Sequence, residues 1–125
     1  MLSKEKRLRG TKEWEVLFKE GNFVGAHSLT MKYWKINTEK YPRRKFGVGD
    51  LKIGFSVGIK ISKSAVKRNA VRRKMREVIR LLLKDNKIKS GFLIGFMAKN
   101  VILEVDYHKI EEDILFCLKK AKLLI

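Results

Sequence analysis

The stretch KSAVKRNAVRRKMRE, residues 63–77, contains seven lysine and arginine residues and a single acid, Glu77. Four apolar residues nevertheless recur at helical spacing from this stretch onward: Val71, Met75, Val78 and Leu82. Four arginines recur at every fourth position: Arg68, Arg72, Arg76 and Arg80. The pattern predicts a helix from about Ser64 to Asp85 that buries one side and presents guanidinium groups on a neighbouring side.

This row of arginines fits an array of phosphates, because each guanidinium can donate two parallel hydrogen bonds to phosphate oxygens. From Arg68 to Arg80 the row extends about 18 Å, which suits a nucleic acid better than a metabolite. The alternative interpretation is a solvated charged face, as on many amphipathic helices. Such faces normally mix acids with bases, so the shortage of acids favours contact with RNA.

The whole chain has the composition of one globular domain that binds polyanions. It has 125 residues, 45% of them hydrophobic, and a formal net charge of +17 that attracts polyanions. We expect one RNA-binding domain, residues 1–125, with residues 1–9 as a basic leader. The single Cys117 excludes an internal disulfide and fits a reducing compartment. With no apolar run of about 20 residues and no apolar core in the first residues, the expected location is cytoplasmic.

The remaining pattern predicts the element order α-β-β-β-α-β-α, an α+β fold. The first helix ends at Glu20, and the last runs from Tyr107 to Leu123. Strands are expected near residues 23–24, 28–36, 51–59 and 92–99. In the second strand two sets of residues alternate between opposite faces of the sheet: Leu29, Met31 and Tyr33 against Thr30, Lys32 and Trp34.

Three blocks of residues, in the right order and at the right spacing, resemble the protein subunit of bacterial ribonuclease P. The first block is Arg7-Leu8-Arg9, followed by Trp14 and Phe18-Lys19-Glu20-Gly21. The second is Gly54-Phe55-Ser56-Val57, followed by Lys60. The third runs from Ala65 to Glu77 and is similar to the family's Arg-Asn-Arg signature helix. Ala70 stands at the third signature position, where an arginine would add one phosphate contact.

The resemblance implies a four-stranded mixed sheet with a left-handed βαβ crossover, an exception to the usual handedness. The implied fold is that of the second domain of the fifth small-subunit ribosomal protein. The implied function is that of a ribonuclease P subunit, which promotes endonucleolytic removal of the 5′ leader of precursor tRNA. The RNA subunit would hydrolyse the phosphodiester with Mg²⁺. We therefore expect no catalytic side chain and no metal or cofactor bound by the protein, and no DNA or membrane partner.

The resemblance also assigns two sets of binding residues. One set would contact the catalytic RNA: Lys60, Lys63, Lys67, Arg68, Asn69, Arg72, Arg73 and Arg76. The other would line a cleft between the first helix and the sheet that receives the 5′ leader: Arg7, Arg9, Trp14, Phe18, Thr30, Lys32 and Trp34. Trp34 can substitute for the aromatic residue that some members carry at the position of Lys32.

Several of these residues have two interpretations. Asn69 either bonds to sugar or phosphate or ties down the crossover. Trp14 and Phe18 either pack in the core or offer ring faces to unstacked bases. Arg7 and Arg9 either belong to a solvated leader or hold leader phosphates.

Two other classes of function remain open from the residues alone. One is a structural ribosomal protein or a general RNA-binding chaperone. The other is a DNA-binding module that places the basic helix in a major groove. The aromatic first helix and the Gly-Phe-Ser-Val strand favour ribonuclease P, because a DNA-reading helix requires neither. His27 and His108 lack a second ligand at metal spacing, and Cys117 lies on an apolar helical line, so we expect none of them to be catalytic.

Overall fold

The computed structural model describes residues 7–8, 10–37, 39–40, 47 and 49–125. Arg9, predicted to bind the leader, and most of the polar segment from 37 to 50 lie outside the described residues. The helices and strands are α1 (Gly10–Glu20), β1 (Asn22–Gly25), β2 (Leu29–Lys35), β3 (Leu51–Ser56), α2 (Ala65–Lys84), β4 (Phe92–Ala98) and α3 (Tyr107–Lys120). A short 3₁₀ helix, Asn100–Glu104, precedes α3.

The four strands form one mixed sheet in the order β1-β2-β4-β3. β2 is antiparallel to both β1 and β4, whereas β3 and β4 are parallel. α2 connects the two parallel strands. The predicted α+β class, with a mixed four-stranded sheet and three α-helices, is confirmed, and the left-handed sense of the crossover stays a prediction.

α2 follows the predicted amphipathic pattern closely. Its N-cap is Ser64, whose hydroxyl accepts a hydrogen bond of 3.3 Å from the amide N–H of Lys67. Val71, Met75 and Val78 are buried as predicted, Ile79 is buried with them, and Leu82 is partly buried. The opposite side of the helix is therefore left to its basic residues.

The sheet separates a larger core from a smaller one. The larger core lies between one sheet face and the two helices α2 and α3, and it includes Leu29 and Met31 of β2. The smaller core lies under α1 on the other face, and it consists of Leu8, Val16, Leu17, Trp34, Ile36 and Leu93. The alternation predicted for β2 thus sends its two sets of side chains into different layers.

Two predicted elements are too long at their C-terminal ends. β3 ends at Ser56 rather than Ile59, because the chain leaves the sheet at Val57 and then turns, with the Ile61 N–H donating to the Gly58 carbonyl at 3.0 Å. α3 ends at Lys120 rather than Leu123, because Lys122 adopts a left-handed φ of 59° and reverses the chain. The reversal buries Leu123 in the larger core.

Ser28 and Asp113 form a buried polar contact between the turn before β2 and α3. Asp113 accepts hydrogen bonds from the Ser28 hydroxyl and, at 2.9 Å, from the Ser28 amide N–H. Lys109 Nζ lies 3.4 Å from the second carboxylate oxygen. Burial alone would raise the pKa of Asp113, but the hydrogen bonds from Ser28 and Lys109 hold this pKa below its usual value. The ionised carboxylate therefore fastens α3 to the sheet.

We expect Asp113→Ala to lower the free energy of unfolding by about 1–3 kcal/mol, because it leaves the buried Ser28 amide without an acceptor. The folded-state pKa lies below the unfolded-state value, so this carboxylate stabilises the fold above the unfolded pKa. Its contribution is lost as the pH falls through the folded pKa. Urea unfolding should show that the difference in free energy of unfolding between native protein and variant becomes smaller as the pH falls below the ordinary aspartate range. A gap that does not change with pH would contradict this account.

Candidate nucleic-acid interface

The basic surface begins in the turn after β3 and continues along α2. We define it by eight residues: Lys60, Lys63, Lys67, Arg68, Asn69, Arg72, Arg73 and Arg76. Arg68, Arg72 and Arg76 are partly exposed and the other five are exposed. All of the residues predicted to contact the catalytic RNA are therefore at least partly accessible, in the turn after β3 and along the side of α2 that is not buried.

Arg68 and Arg72 also hold the turn between β3 and α2. Arg68 Nη1 donates a hydrogen bond of 2.8 Å to the carbonyl oxygen of Ser62, and Arg72 Nη2 donates one of 3.2 Å to that of Val57. Asn69 Oδ1 accepts from Arg72 Nη1 at 2.7 Å, so Asn69 orients the arginine that ties down the crossover. A guanidinium has five N–H donors, so both arginines keep donors for phosphate oxygens.

The row of arginines available to phosphates ends at Arg76. Arg80 instead donates two hydrogen bonds, of 3.0 and 2.7 Å, to the carboxylate of Glu77. These hydrogen bonds lower the pKa of Glu77 and raise that of Arg80, so both groups stay ionised. The side chains of Arg73 and Arg76 form no hydrogen bond or ion pair with the described part of the chain, which leaves their guanidinium groups open to a ligand.

α1 covers one end of the other sheet face, and strand register shows which end stays open. Three rows of residues cross this face. The row beneath α1 is Trp34, Leu93 and Lys52. The middle row is Phe23, Lys32, Gly95 and Gly54. The outer row is Gly25, Thr30, Met97 and Ser56, and all four of its residues are partly or fully exposed.

Trp14 fastens α1 to the middle row. A β-carbon on Gly95 would lie 2.5 Å from Trp14 Cζ3, and one on Gly54 would lie 2.7 Å from Trp14 Cζ2. The indole therefore rests on two positions that must lack a side chain. Trp14 is partly buried, and its ring stacks on Phe18 at a centroid distance of 5.8 Å. Its main role is to pack α1 against the sheet.

Phe18 and Lys32 stand together at the edge of the open region. Phe18 is 49% exposed, and Lys32 Nζ lies 5.0 Å from the centroid of its ring. The same ammonium donates to the Phe18 carbonyl oxygen at 3.4 Å. A half-exposed ring and a cation are thus available to one ligand.

Phe23 lies on the same open face, although the sequence pattern did not assign it there. It is 67% exposed, and it pairs with Lys32 across β1 and β2, so the two side chains share a face. Aligning the short first strand with the second around the turn at 26–28 would have placed Phe23 there. We define the aromatic face as Trp14, Phe18, Phe23, Thr30 and Lys32.

The structure places two of the predicted leader-binding residues, Trp34 and Arg7, in surroundings that the sequence did not predict. Trp34 is buried in the smaller core, because α1 lies over its end of the sheet, so its ring cannot stack on leader bases and does not replace Lys32. Arg7 forms a parallel β-bridge with Ile53, and the next amide N–H, of Leu8, donates to the Ile53 carbonyl at 3.0 Å. Arg7 is therefore anchored beside β3 rather than part of a solvated leader.

The remaining candidate reactive side chains are one cysteine and two histidines. Cys117 is fully buried, as predicted, and burial raises the pKa of its thiol to about 11. His27 and His108 are exposed. Within the described ranges, no three histidine, cysteine or acidic residues are grouped to hold a metal ion. None of the helices described has the length and apolar character of a membrane span.

Comparison with known proteins identifies the family. A family model described as Ribonuclease P matches residues 2–122. The chain belongs to the ribonuclease P protein family. The ribonuclease P protein component of Caldanaerobacter subterraneus is 32% identical over 123 residues, which cover 98% of this chain and 95% of that protein. That of a Synechococcus strain is 30% identical over 125 residues, covering 100% of this chain and 88% of that protein.

Solved ribonuclease P proteins share the fold. The Thermotoga maritima protein matches with a TM-score of 0.71 at 26% identity, covering 91% of this chain and 96% of that one. The Staphylococcus aureus protein matches with a TM-score of 0.79 at 21% identity, covering 98% and 100%. A ribonuclease P protein is a subunit of an endoribonuclease that processes tRNA, and its RNA partner is the ribonuclease P RNA.

Proposed function

We propose that this protein binds the ribonuclease P catalytic RNA through its basic surface and the 5′ leader of precursor tRNA through its aromatic face. Binding both promotes endonucleolytic removal of the leader. The observation that carries the proposal is the division of the molecule by its sheet. α2 lies on one side with the basic surface, and α1 lies on the other with Phe18 and Lys32.

The basic surface suits a folded RNA. Arg73 and Arg76 offer guanidinium groups that no described residue pairs with, and the protein itself holds Arg68 and Arg72 in place. Prior ordering of an arginine reduces the entropy lost when it meets a phosphate. Each phosphate neutralised adds about 0.7–0.9 to the slope of log affinity against log salt.

The aromatic face suits a single strand. Phe18 and Phe23 expose ring surfaces on which unstacked bases can stack, at about 1–3 kcal/mol per base. Lys32 stands beside both rings and can hold a backbone phosphate, and Thr30 adds a hydroxyl in the next row. Stacking accepts any base, so this face can accept leaders of varied sequence. Arg7 and, from the sequence, Arg9 would extend the contact to further phosphates.

At the C-terminal end of β3 the chain passes from the open sheet face to the turn held by Arg72 of the basic surface. Ser56 is the last residue of the outer row of the sheet face. The next residue in the chain, Val57, accepts the hydrogen bond from Arg72. A leader crossing the open sheet face would therefore run towards the catalytic RNA. We assign phosphodiester hydrolysis to that RNA with its Mg²⁺ ions, and binding and positioning of the substrate to the protein.

Reconstitution tests this function. The protein is mixed with an in vitro transcribed bacterial ribonuclease P RNA and a precursor tRNA at low Mg²⁺, and the 5′ end of the product is mapped. We expect the protein to restore cleavage that releases the leader. Failure to stimulate cleavage, together with tight binding to ribosomal RNA, would show instead a structural ribosomal protein or an RNA chaperone.

A further inference from the structure

A groove between α2 and the start of α3 adjoins the basic surface and shares Arg73 with it, and the proposed function gives no role to its other lining residues. Its volume is about 420 Å³, within the range of pockets that hold small molecules. Five residues line it: Ala70, Arg73, Lys74, Glu77 and Tyr107. The short side chain of Ala70 keeps the groove open, at the position where the family signature would place an arginine.

The groove combines an aromatic ring with charges of both signs. Tyr107 is partly exposed, packs on the larger core, and stays protonated because burial raises its pKa. Arg73 and Lys74 are exposed cations. Glu77 supplies a carboxylate that Arg80 holds in a fixed orientation through two hydrogen bonds.

The geometry points to a binding site for one unstacked nucleotide of the catalytic RNA. This inference rests on the proposed function. The base would lie against the ring of Tyr107 over the methyl group of Ala70. Its phosphate would meet Arg73 and Lys74. Glu77 would accept a hydrogen bond from an amino group of the base, as carboxylates do from the amino group of cytosine.

The combination of ring, cations and carboxylate in the groove favours RNA over an acidic protein as the occupant. The groove opens onto the basic surface, whose run of cations is suited to consecutive phosphates. A peptide carboxylate would meet the cations but would leave the ring of Tyr107 and the carboxylate of Glu77 without a partner. A nucleotide uses all of these groups, because it has a flat face, an amino donor and an anion.

Three variants test the site. Tyr107→Leu removes the flat ring but keeps an apolar side chain, and Ala70→Leu fills the groove from an exposed position. Phe116→Leu is the matched control, because it removes a 50% exposed ring from the same helix outside the groove. Thermal unfolding checks that each variant is folded. Filter binding to in vitro transcribed ribonuclease P RNA over a range of salt concentrations gives the affinity and its salt slope.

We expect Tyr107→Leu and Ala70→Leu to bind this RNA about 10-fold more weakly, which is the loss of one stacked base. The salt slope should be unchanged because no charge is removed, and Phe116→Leu should bind like the native protein. Native affinity in both groove variants, with tight binding by the native protein, would overturn the groove and leave the proposed function intact. Failure of the native protein itself to bind would overturn the proposed function as well.

Discussion

Gly95→Ala is expected to lower the free energy of unfolding by about 1–3 kcal/mol, the cost of overpacking a tight core, and to loosen α1 from the sheet. The new β-carbon would lie 2.5 Å from Trp14 Cζ3 and 2.7 Å from Leu17 Cδ2. Leu17 is fully buried, and the rigid indole also rests on Gly54. Relief therefore requires movement of the whole helix rather than of one side chain.

The control for this prediction is Gly58→Ala. A β-carbon on Gly58 meets no atom of the described residues within 4 Å, and its φ is not in the left-handed region, so denaturant unfolding should give a near-native stability. Trp14→Phe in the Gly95→Ala background should restore part of the loss, because the smaller ring withdraws from the sheet. If Gly95→Ala were as stable as the native protein, the account of how α1 docks would be wrong.

Arg73→Ala combined with Arg76→Ala is expected to weaken binding to the catalytic RNA about 10- to 100-fold and to lower the salt slope by about 1.4–1.8, the contribution of two phosphate contacts. Neither side chain bonds to the described part of the protein, so the free energy of unfolding should stay within about 0.5 kcal/mol of native. Filter binding at several salt concentrations measures both quantities.

Lys119→Ala with Lys120→Ala is the matched control, because it removes the same charge from the exposed end of α3. The control should leave the RNA affinity nearer to native than the arginine pair does. Equal losses in the two double variants would show that net charge alone, rather than the basic surface, determines binding.

Local patterns in the sequence predicted α2 well, because its signals all come from one continuous segment. The apolar spacing and the shortage of acids are both properties of a single helix. The dual role of Arg72 could not be predicted in the same way, because its partner Val57 precedes the helix and depends on the path of the turn.

The aromatic face was predicted less completely, for reasons of tertiary structure. Alternation along β2 predicted the correct sheet face for Trp34 and Lys32. It could not predict how far α1 extends over that face, and α1 buries Trp34 but leaves Lys32 accessible. Phe23 lies on a strand of four residues at the sheet edge, where register rather than residue type assigns it to the site.

The measurement that tests the two-surface account most directly compares Phe18→Ala with the native protein in the reconstituted holoenzyme. Dissociation constants are determined for precursor tRNA with its leader and for mature tRNA without one. We expect Phe18→Ala to weaken binding of the precursor about 10-fold, through loss of a stacked base, and to leave the binding of mature tRNA and of the catalytic RNA unchanged. An equal loss for both substrates would contradict the assignment of the aromatic face to the leader.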